Sequence, residues 1–185
     1  MTDLEVRPLT PDLVPDFFRL HAERHGCGWC CCVAWHVPTW DGWGERGAAR
    51  NRALRQGLFD GGELDGYLLY QAGEPVAWAQ VGRRDRLPKL VAGFGLEPEP
   101  GVWALSCLLV RPDRRRQGLA RRLVEDVVAD LRARGVARLQ AFPKNADDLD
   151  DGEVWTGPRG LYAALGFELR RPGEPRSVWE LALHR

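Results

Sequence analysis

This chain of 185 residues lacks long apolar runs and has no excess of either charge. No stretch approaches the roughly 18 consecutive apolar residues that a membrane-spanning helix needs. The acidic start Met-Thr-Asp-Leu-Glu also lacks the basic flank and apolar run of a signal peptide. The 26 Lys and Arg residues balance the 26 Asp and Glu residues, so net charge gives no reason to expect a nucleic-acid or membrane partner. We therefore expect a cytoplasmic protein.

Internal repeats, linkers and a disulfide framework are also missing. A length of 185 residues with 44% hydrophobic content suits one domain, which we expect to span residues 1–185 around a single core. The five cysteines are odd in number, and four of them fall within residues 27–32. Such a cluster is not a disulfide pattern, and in a reducing compartment its members would be free thiols or ligands.

The hydrophobic pattern predicts a mixed α/β fold of about seven strands and about four helices, in the order β-α-α-β-β-β-α-β-α-β-β. Residues 102–110 are almost wholly apolar, as in a central strand that is buried on both faces. The segment 83–100 is rich in Pro, Gly and charge and is expected to be a loop. The other strands are expected at 3–8, 66–71, 75–81, 136–142, 167–169 and 177–183, and the helices at 13–24, 45–58, 119–134 and 158–165.

A glycine-containing turn at residues 115–120 connects the central strand to an amphipathic helix. The start of a helix presents unpaired backbone N–H groups and the positive end of the helix dipole. Gly118 removes a side chain that would keep a phosphate away from these groups, and the small Ala120 allows close approach. The turn is therefore predicted to bind an anion.

The turn Arg-Arg-Gln-Gly-Leu-Ala at 115–120, taken with Tyr-Ala-Ala-Leu-Gly-Phe at 162–167, resembles the GNAT superfamily of N-acetyltransferases. The resemblance covers nearly the whole chain, most clearly at 102–170. It implies acetyl-CoA as cosubstrate, with its pyrophosphate held by Arg115, Arg116, Gln117, Gly118, Leu119 and Ala120. It also implies that the pantetheine arm pairs with the backbone of Leu108, Leu109 and Val110, although these residues also suit a plain core strand.

Proton transfer needs a donor for the departing thiolate and a base for the amine. The resemblance gives Tyr162 as the donor, because it precedes Gly166-Phe167 by four residues; the alternative is a packed aromatic with a hydrogen-bonded hydroxyl. Many relatives carry a Glu on the central strand, but residues 102–107 contain no carboxylate. The base is left open among a water held by Ser106 or Cys107, Glu97 or Glu99, and deprotonation by solvent.

Four tryptophans interleave with the cysteine cluster between residues 29 and 43. In this fold the first two helices and their connection cover the acceptor side, so we expect Trp29, Trp35 and Trp40, with Trp43 beside them, to form an aromatic wall of the acceptor pocket. The spacing Cys27-x-x-Cys30 also permits a zinc hypothesis. Because a separated second pair could come only from histidines, we favour packed thiols and expect no metal; the cluster comprises His21, His25, Cys27, Cys30, Cys31, Cys32 and His36.

An acidic loop at residues 147–153 is interpreted as solvated, with attraction of a cationic amine as the alternative. The leading function is transfer of an acetyl group from acetyl-CoA to a primary amine of a small molecule, by a monomer or homodimer. The alternatives are acetylation of a peptide or protein, a non-catalytic coenzyme A sensor, and a zinc-dependent interaction module.

Overall fold

The fold is a single mixed sheet with helices on both faces, seen in a computed structural model that describes residues 3–22, 27–146 and 148–184. This part of the chain contains seven strands and five α-helices. The strands are β1 Leu4–Pro8, β2 Tyr67–Gln71, β3 Glu74–Arg83, β4 Val102–Val110, β5 Arg138–Ala141, β6 Glu168–Arg171 and β7 Val178–Ala182. The helices are α1 Val14–Ala22, α2 Ala48–Asp60, α3 Pro88–Gly93, α4 Leu119–Ala133 and α5 Arg159–Ala164.

The strands lie in the order β1-β2-β3-β4-β5-β7-β6. Every neighbouring pair is antiparallel except β4 and β5, which are parallel and are connected through α4. A parallel pair needs such a crossover, because the chain must return to the same end of the sheet. The mixed α/β class and the seven strands predicted from the sequence are confirmed.

The two parallel strands pair over only four residues each. Strand β5 pairs with β4 from Arg138 to Ala141 and then ends, and Pro143, two residues later, has no N–H for a continuing ladder. Strand β4 continues to Val110 along β3, with a register shift at the Gln80/Val81 step. Past Leu105, the β5 side of β4 therefore has no strand partner.

Strand β4 contributes to the core on both faces of the sheet. Leu105 and Leu108 pack in a cluster with the buried stripe of α4, whereas Cys107 and Leu109 pack in a second cluster with α1. This two-sided burial explains why the strand is almost wholly apolar. The α4 stripe consists of Leu119, Leu123, Val124, Val127, Val128 and Leu131.

The segment 83–100, expected to be a loop, contains a short 3₁₀ turn and helix α3. That expectation was wrong because six helical residues are too few for a recognisable apolar period. Pro88 occupies the first turn of α3, where its missing N–H has no cost, and Leu90 is fully buried. The helix expected at 13–24 is seen from Val14 to Ala22, and residues 23–26 lie outside the described part. No helix in the described ranges is both long and apolar enough to cross a membrane.

Gly66 is predicted to be required for the full stability of the fold. A Cβ at this position would lie 2.0 Å from Trp78 Cη2, and Trp78 is fully buried and cannot move aside. The φ of +152° is also a conformation that side chains rarely adopt. Chemical denaturation of Gly66→Ala should show a loss of at least about 2 kcal/mol in unfolding free energy.

Gly57→Ala is the matched control, because Gly57 lies in α2 and an added methyl group there would have no atom within 4 Å. There the same change should stabilise the protein by about 0.5–1 kcal/mol through the unfolded-state entropy of glycine. Equal stability of the two variants would contradict this account of the Gly66–Trp78 contact.

Candidate active site

The turn that opens α4 presents unpaired backbone donors to solvent. Arg116 and Gly118 adopt positive φ angles of 59° and 76°, and the Arg122 N–H makes the first helical bond, to the Gly118 carbonyl at 3.0 Å. The amides of Leu119 and Ala120 precede that bond, and no side chain caps this end of the helix. A Cβ on Gly118 would meet nothing within 4 Å, so the approach to these amides is open. An anion would fit this turn.

Arg115 connects the turn to its surroundings. Its Nε donates to the Val110 carbonyl at 3.2 Å, which fixes the turn against the end of β4. Its Nη1 lies 2.6 Å from Asp151 Oδ2 in the acidic loop. The turn, the end of β4 and the acidic loop are therefore adjacent.

Three carboxylates of the acidic loop have partners within the chain. Asp150 Oδ1 accepts hydrogen bonds from the N–H groups of Gly152 and Glu153, at 2.8 and 2.9 Å. Glu153 pairs with Lys144 at 2.7 Å, and Asp151 pairs with Arg115. These contacts offset much of the negative charge that would attract an incoming amine. Residue 147 lies outside the described residues.

Two backbone groups of β4 beyond its pairing with β5 are held by tryptophan residues. Trp35 Nε1 donates to the Ser106 carbonyl at 3.2 Å, and the Leu108 N–H donates to the Trp155 carbonyl at 2.7 Å. Leu109 pairs with Trp78 across the β3 ladder. The strand residues predicted to bind the pantetheine arm therefore lie beyond this pairing, with the Leu108 amide engaged by Trp155.

Tyr162 is fully buried against residues 156 and 157. Its hydroxyl donates to the Thr156 carbonyl at 2.6 Å, and burial raises the pKa of the phenol. A Cβ on Gly157, where φ is +84°, would lie 2.2 Å from Tyr162 Oη and 2.9 Å from Leu108 Cδ1. Tyr162, Leu108 and residues 155–157 thus form one packed group. Proton donation by Tyr162 stays a prediction, because this hydroxyl is hydrogen-bonded inside the chain.

The predicted tryptophans gather around one cleft of about 1140 Å³. The ring centroids form a chain, at 5.2 Å from Trp29 to Trp43, 5.8 Å from Trp43 to Trp40 and 5.4 Å from Trp40 to Trp35. Trp155 extends the chain at 5.7 Å from Trp35. The volume of the cleft suits a small organic molecule, and its lining is rich in the aromatic residues typical of ligand sites. Tyr162 does not line this cleft.

Two cationic residues of the cleft were not predicted from the sequence. Lys89 on α3 places Nζ 3.2 Å from the centre of the Trp40 ring, and Arg176 lies over Trp155 with its Cζ 4.8 Å from the ring centre. Desolvation, with help from Arg46, lowers the pKa of Lys89 to about 8. Burial lowers the pKa of Arg176 to about 10. Local periodicity could not reveal these contacts, because they join distant parts of the chain.

The four side chains considered for the general base lie in different parts of the fold. Ser106 Oγ is buried and has no hydrogen-bond partner in the described part, while Cys107 Sγ lies 3.0 Å from Cys32 Sγ. Glu97 and Glu99 line a separate pocket, and neither borders the tryptophan cleft. The hydrogen bond from Arg138 keeps the pKa of the Glu99 carboxyl below its usual range. None of these groups stands free in the cleft.

The cysteine cluster packs as neutral thiols. Cys30, Cys31, Cys32 and Cys107 are buried. A hydrogen bond with Cys32, together with burial, raises the pKa of the Cys30 thiol, and burial raises the pKa of the other two thiols at 31 and 32. His21 Nε2 lies 3.4 Å from Cys32 Sγ. Among the described residues no three His, Cys, Asp or Glu side chains are arranged to hold a metal. His25 and the side chain of Cys27 lie outside those residues.

Helix α2 holds the tryptophan segment, residues 29–43, through two buried polar side chains. Arg55 Nε donates to the Cys31 carbonyl at 2.9 Å, and Arg55 Nη2 donates to the Cys32 carbonyl. Both cysteines have positive φ angles, 44° and 52°, which turn their carbonyls towards α2. Asn51 Nδ2 adds a bond to the Trp29 carbonyl at 3.3 Å. In the sequence these residues are indistinguishable from ordinary residues of an exposed helix.

The acetyltransferase (GNAT) family model matches residues 17–167 of this chain. The chain belongs to this family. The family uses acetyl-CoA as cosubstrate, so the enzyme is an acyltransferase, and the family resemblance inferred from the two motifs is confirmed. No curated protein sequence matches this acetyltransferase.

Solved structures share the fold at low sequence identity. The ribosomal-protein-S18-alanine N-acetyltransferase from Escherichia coli is 17% identical, with 99% of this chain and 96% of that chain covered and a TM-score of 0.53. The PaiA N-acetyltransferase from Thermoplasma acidophilum, solved with coenzyme A, is 10% identical, with 97% and 99% covered and a TM-score of 0.58. An acetyltransferase from Thermus thermophilus is 22% identical, with 97% and 96% covered and a TM-score of 0.56. These likenesses establish the fold of the chain.

His21 is predicted to make stability depend on pH. Burial lowers its pKa to about 3, so between pH 6.5 and 3 the unfolded chain binds a proton that the folded chain rejects. The contribution of His21 is complete above pH 6.5 and is lost as the pH falls towards 3. Between pH 6 and 4, the unfolding free energy of His21→Gln should fall less steeply than that of the wild type, by about 1.4 kcal/mol per pH unit.

Denaturation curves of both proteins at each pH give this slope, and the carboxylates common to both cancel in the comparison. An unchanged slope would show that His21 does not reject its proton in the folded state.

Proposed function

We propose that this acetyltransferase moves the acetyl group of acetyl-CoA to a primary amine of a small molecule. The observation that carries the acceptor assignment is the tryptophan cleft of about 1140 Å³, bounded by Trp35 and Trp155, the residues that also contact β4. A concave aromatic cleft suits a small molecule better than an extended polypeptide, which needs an open groove.

The phosphates are assigned to the turn at 115–120. The amides of Leu119 and Ala120 and the open space at Gly118 support this assignment, since they give an anion access to the helix end. Arg115 and Arg116 would add charge-assisted bonds to phosphate, and phosphate would compete with Asp151 for Arg115.

The pantetheine arm is assigned to the β5-facing edge of β4 at residues 108–110. The Trp155 carbonyl accepts the Leu108 N–H, and the Thr156 carbonyl accepts the Tyr162 hydroxyl. A shift of this one segment, residues 155–157, would therefore free both the amide for the arm and the hydroxyl for chemistry. We propose that this shift accompanies cosubstrate binding.

Acetyl-CoA supplies the acetyl group as a thioester. The amine nitrogen of the acceptor bonds to the acetyl carbon, the carbon–sulfur bond breaks, and the nitrogen loses one proton while the sulfur gains one. Tyr162 is proposed to give its hydroxyl proton to the sulfur and to recover a proton from solvent or from the amine. The amine enters neutral, and water is the simplest base because no carboxylate on β4 is available.

Gly118→Glu tests the phosphate assignment. The new side chain places bulk and negative charge at the turn, so calorimetry should show coenzyme A affinity reduced by about 100-fold or more. Gly135→Glu is the control, because Gly135 lies past the other end of α4 with φ of 73° and nothing within 4 Å of a Cβ. The backbone strain is thus nearly equal in the two variants. Unchanged affinity in folded Gly118→Glu would overturn the assignment.

Tyr162→Phe tests proton donation while retaining the packed ring. Where chemistry limits turnover, kcat should fall by roughly 10- to 1,000-fold with little change in coenzyme A affinity. Tyr67→Phe serves as control, since its hydroxyl also donates within the fold, to Asp130 at 2.6 Å. A kcat equal to that of the control would assign Tyr162 to packing, and coenzyme A binding without acetylation of any amine would favour a sensor.

A further inference from the structure

Three cationic side chains lining the tryptophan cleft have no carboxylate within 4.0 Å among the described residues: Lys89, Arg171 and Arg176. The fourth lining cation, Lys144, is paired with Glu153 at 2.7 Å. The lining includes a single carboxylate, from Glu174, within the part of the chain that the structure describes. The cleft therefore carries an excess of positive charge, although the whole chain is neutral.

Lys89 is the most exceptional of these cations. The residue is only 8% exposed, and its ammonium donates to the Thr39 carbonyl at 3.2 Å while resting against the Trp40 ring. A carbonyl and a ring face compensate part of its lost hydration, while desolvation and the charge of Arg46 lower its pKa. A ligand anion at this position would stabilise the charge.

Arg176 presents a second charge in the same lining. It is 9% exposed, and Nη1 donates to Thr156 Oγ1 at 2.5 Å while the guanidinium covers Trp155. A guanidinium has five N–H donors, so donors remain for a carboxylate. Lys89 and Arg176 thus lie against two different rings of one aromatic lining.

The aromatic surface that remains accessible belongs to Trp29 and Trp40, which are 38% and 46% exposed. Large exposed rings inside a cleft offer a stacking surface to a planar apolar group. This surface and the cations belong to the same cavity, so one ligand could use both.

We propose that the acceptor is a primary amine that also carries a carboxylate and a planar apolar group, an inference that rests on the proposed acetyltransferase function. The carboxylate pairs with Lys89 and the planar group stacks on the tryptophans. The same positive lining disfavours protonation of the ligand's amine, which increases its neutral, nucleophilic fraction. This effect partly replaces the carboxylate base missing from β4.

The first experiment compares two acceptors of similar shape, one with a carboxylate and one with a neutral carboxamide in its place. L-phenylalanine and L-phenylalaninamide share the ring and the amine, and the amide has the more readily deprotonated amine, so intrinsic reactivity favours the amide. Thiol release from acetyl-CoA should nevertheless give a kcat/KM at least about 10-fold higher for phenylalanine. Equal values, or a preference for the amide, would overturn the proposal.

The second experiment locates the charge that selects the acceptor. Lys89→Met should lower kcat/KM for phenylalanine by about 10- to 100-fold and alter that for the amide by less than about three-fold. Lys89→Arg, which keeps the charge, should restore most of the loss. Arg132→Met, an equal change in net charge on the exposed end of α4, should have no effect. Equal losses for both acceptors in Lys89→Met would assign Lys89 to packing and contradict the proposal.

Binding without catalysis separates this proposal from the proposed function. The unreactive anion 3-phenylpropionate should quench tryptophan fluorescence, bind wild type at least about 10-fold more tightly than Lys89→Met, and bind more tightly than its neutral amide. This result without acetylation of any amine would support the anionic site and refute the acetyl-transfer assignment. Acetylation of amines without preferential binding of the anion would support the acetyl-transfer assignment and refute the anionic site.

Discussion

The early separation of β4 from β5 is the constraint on which the candidate active site depends. Once β5 has ended at Ala141, the β5-facing polar groups of β4 need partners from elsewhere. The Trp35 indole donates to the Ser106 carbonyl, and the Trp155 carbonyl accepts the Leu108 N–H. Because both partners bond to the same edge of β4, the tryptophan wall of the cleft and residues 155–157 lie next to each other. A longer β5 would satisfy β4 and leave no gap beside it.

The sequence predicted the elements whose cause is local. Strand β4 was found with its bounds, because a strand buried on both faces is apolar throughout and Arg111-Pro112 ends it. The start of α4 followed from Gly118 and the stripe that begins at Leu119. The family followed from two short motifs that stand in the required order along the chain.

The features that escaped prediction depend on contacts between distant residues. Arg55 lies in a helix with little amphipathic character, and only the fold places its guanidinium beneath the carbonyls of residues 31 and 32. Lys89 lies on a helix of six residues, and its partner Trp40 is 49 positions away. The Tyr162 hydroxyl donates to the carbonyl of Thr156, just past the acidic loop at 147–153, and the composition of that loop gives no sign of this contact. Such pairings have no local period to reveal them.

The register shift within β4 sets which of its side chains face each side of the sheet. Leu105 and Leu108 face the α4 side, whereas Cys107 and Leu109 face α1 and the cysteine cluster. Substitutions on the second face change the support of the tryptophan segment and leave the packing beneath the turn at 115–120 unchanged. Descendants of this chain can therefore vary one face of a single strand while they inherit the packing of its other face unchanged.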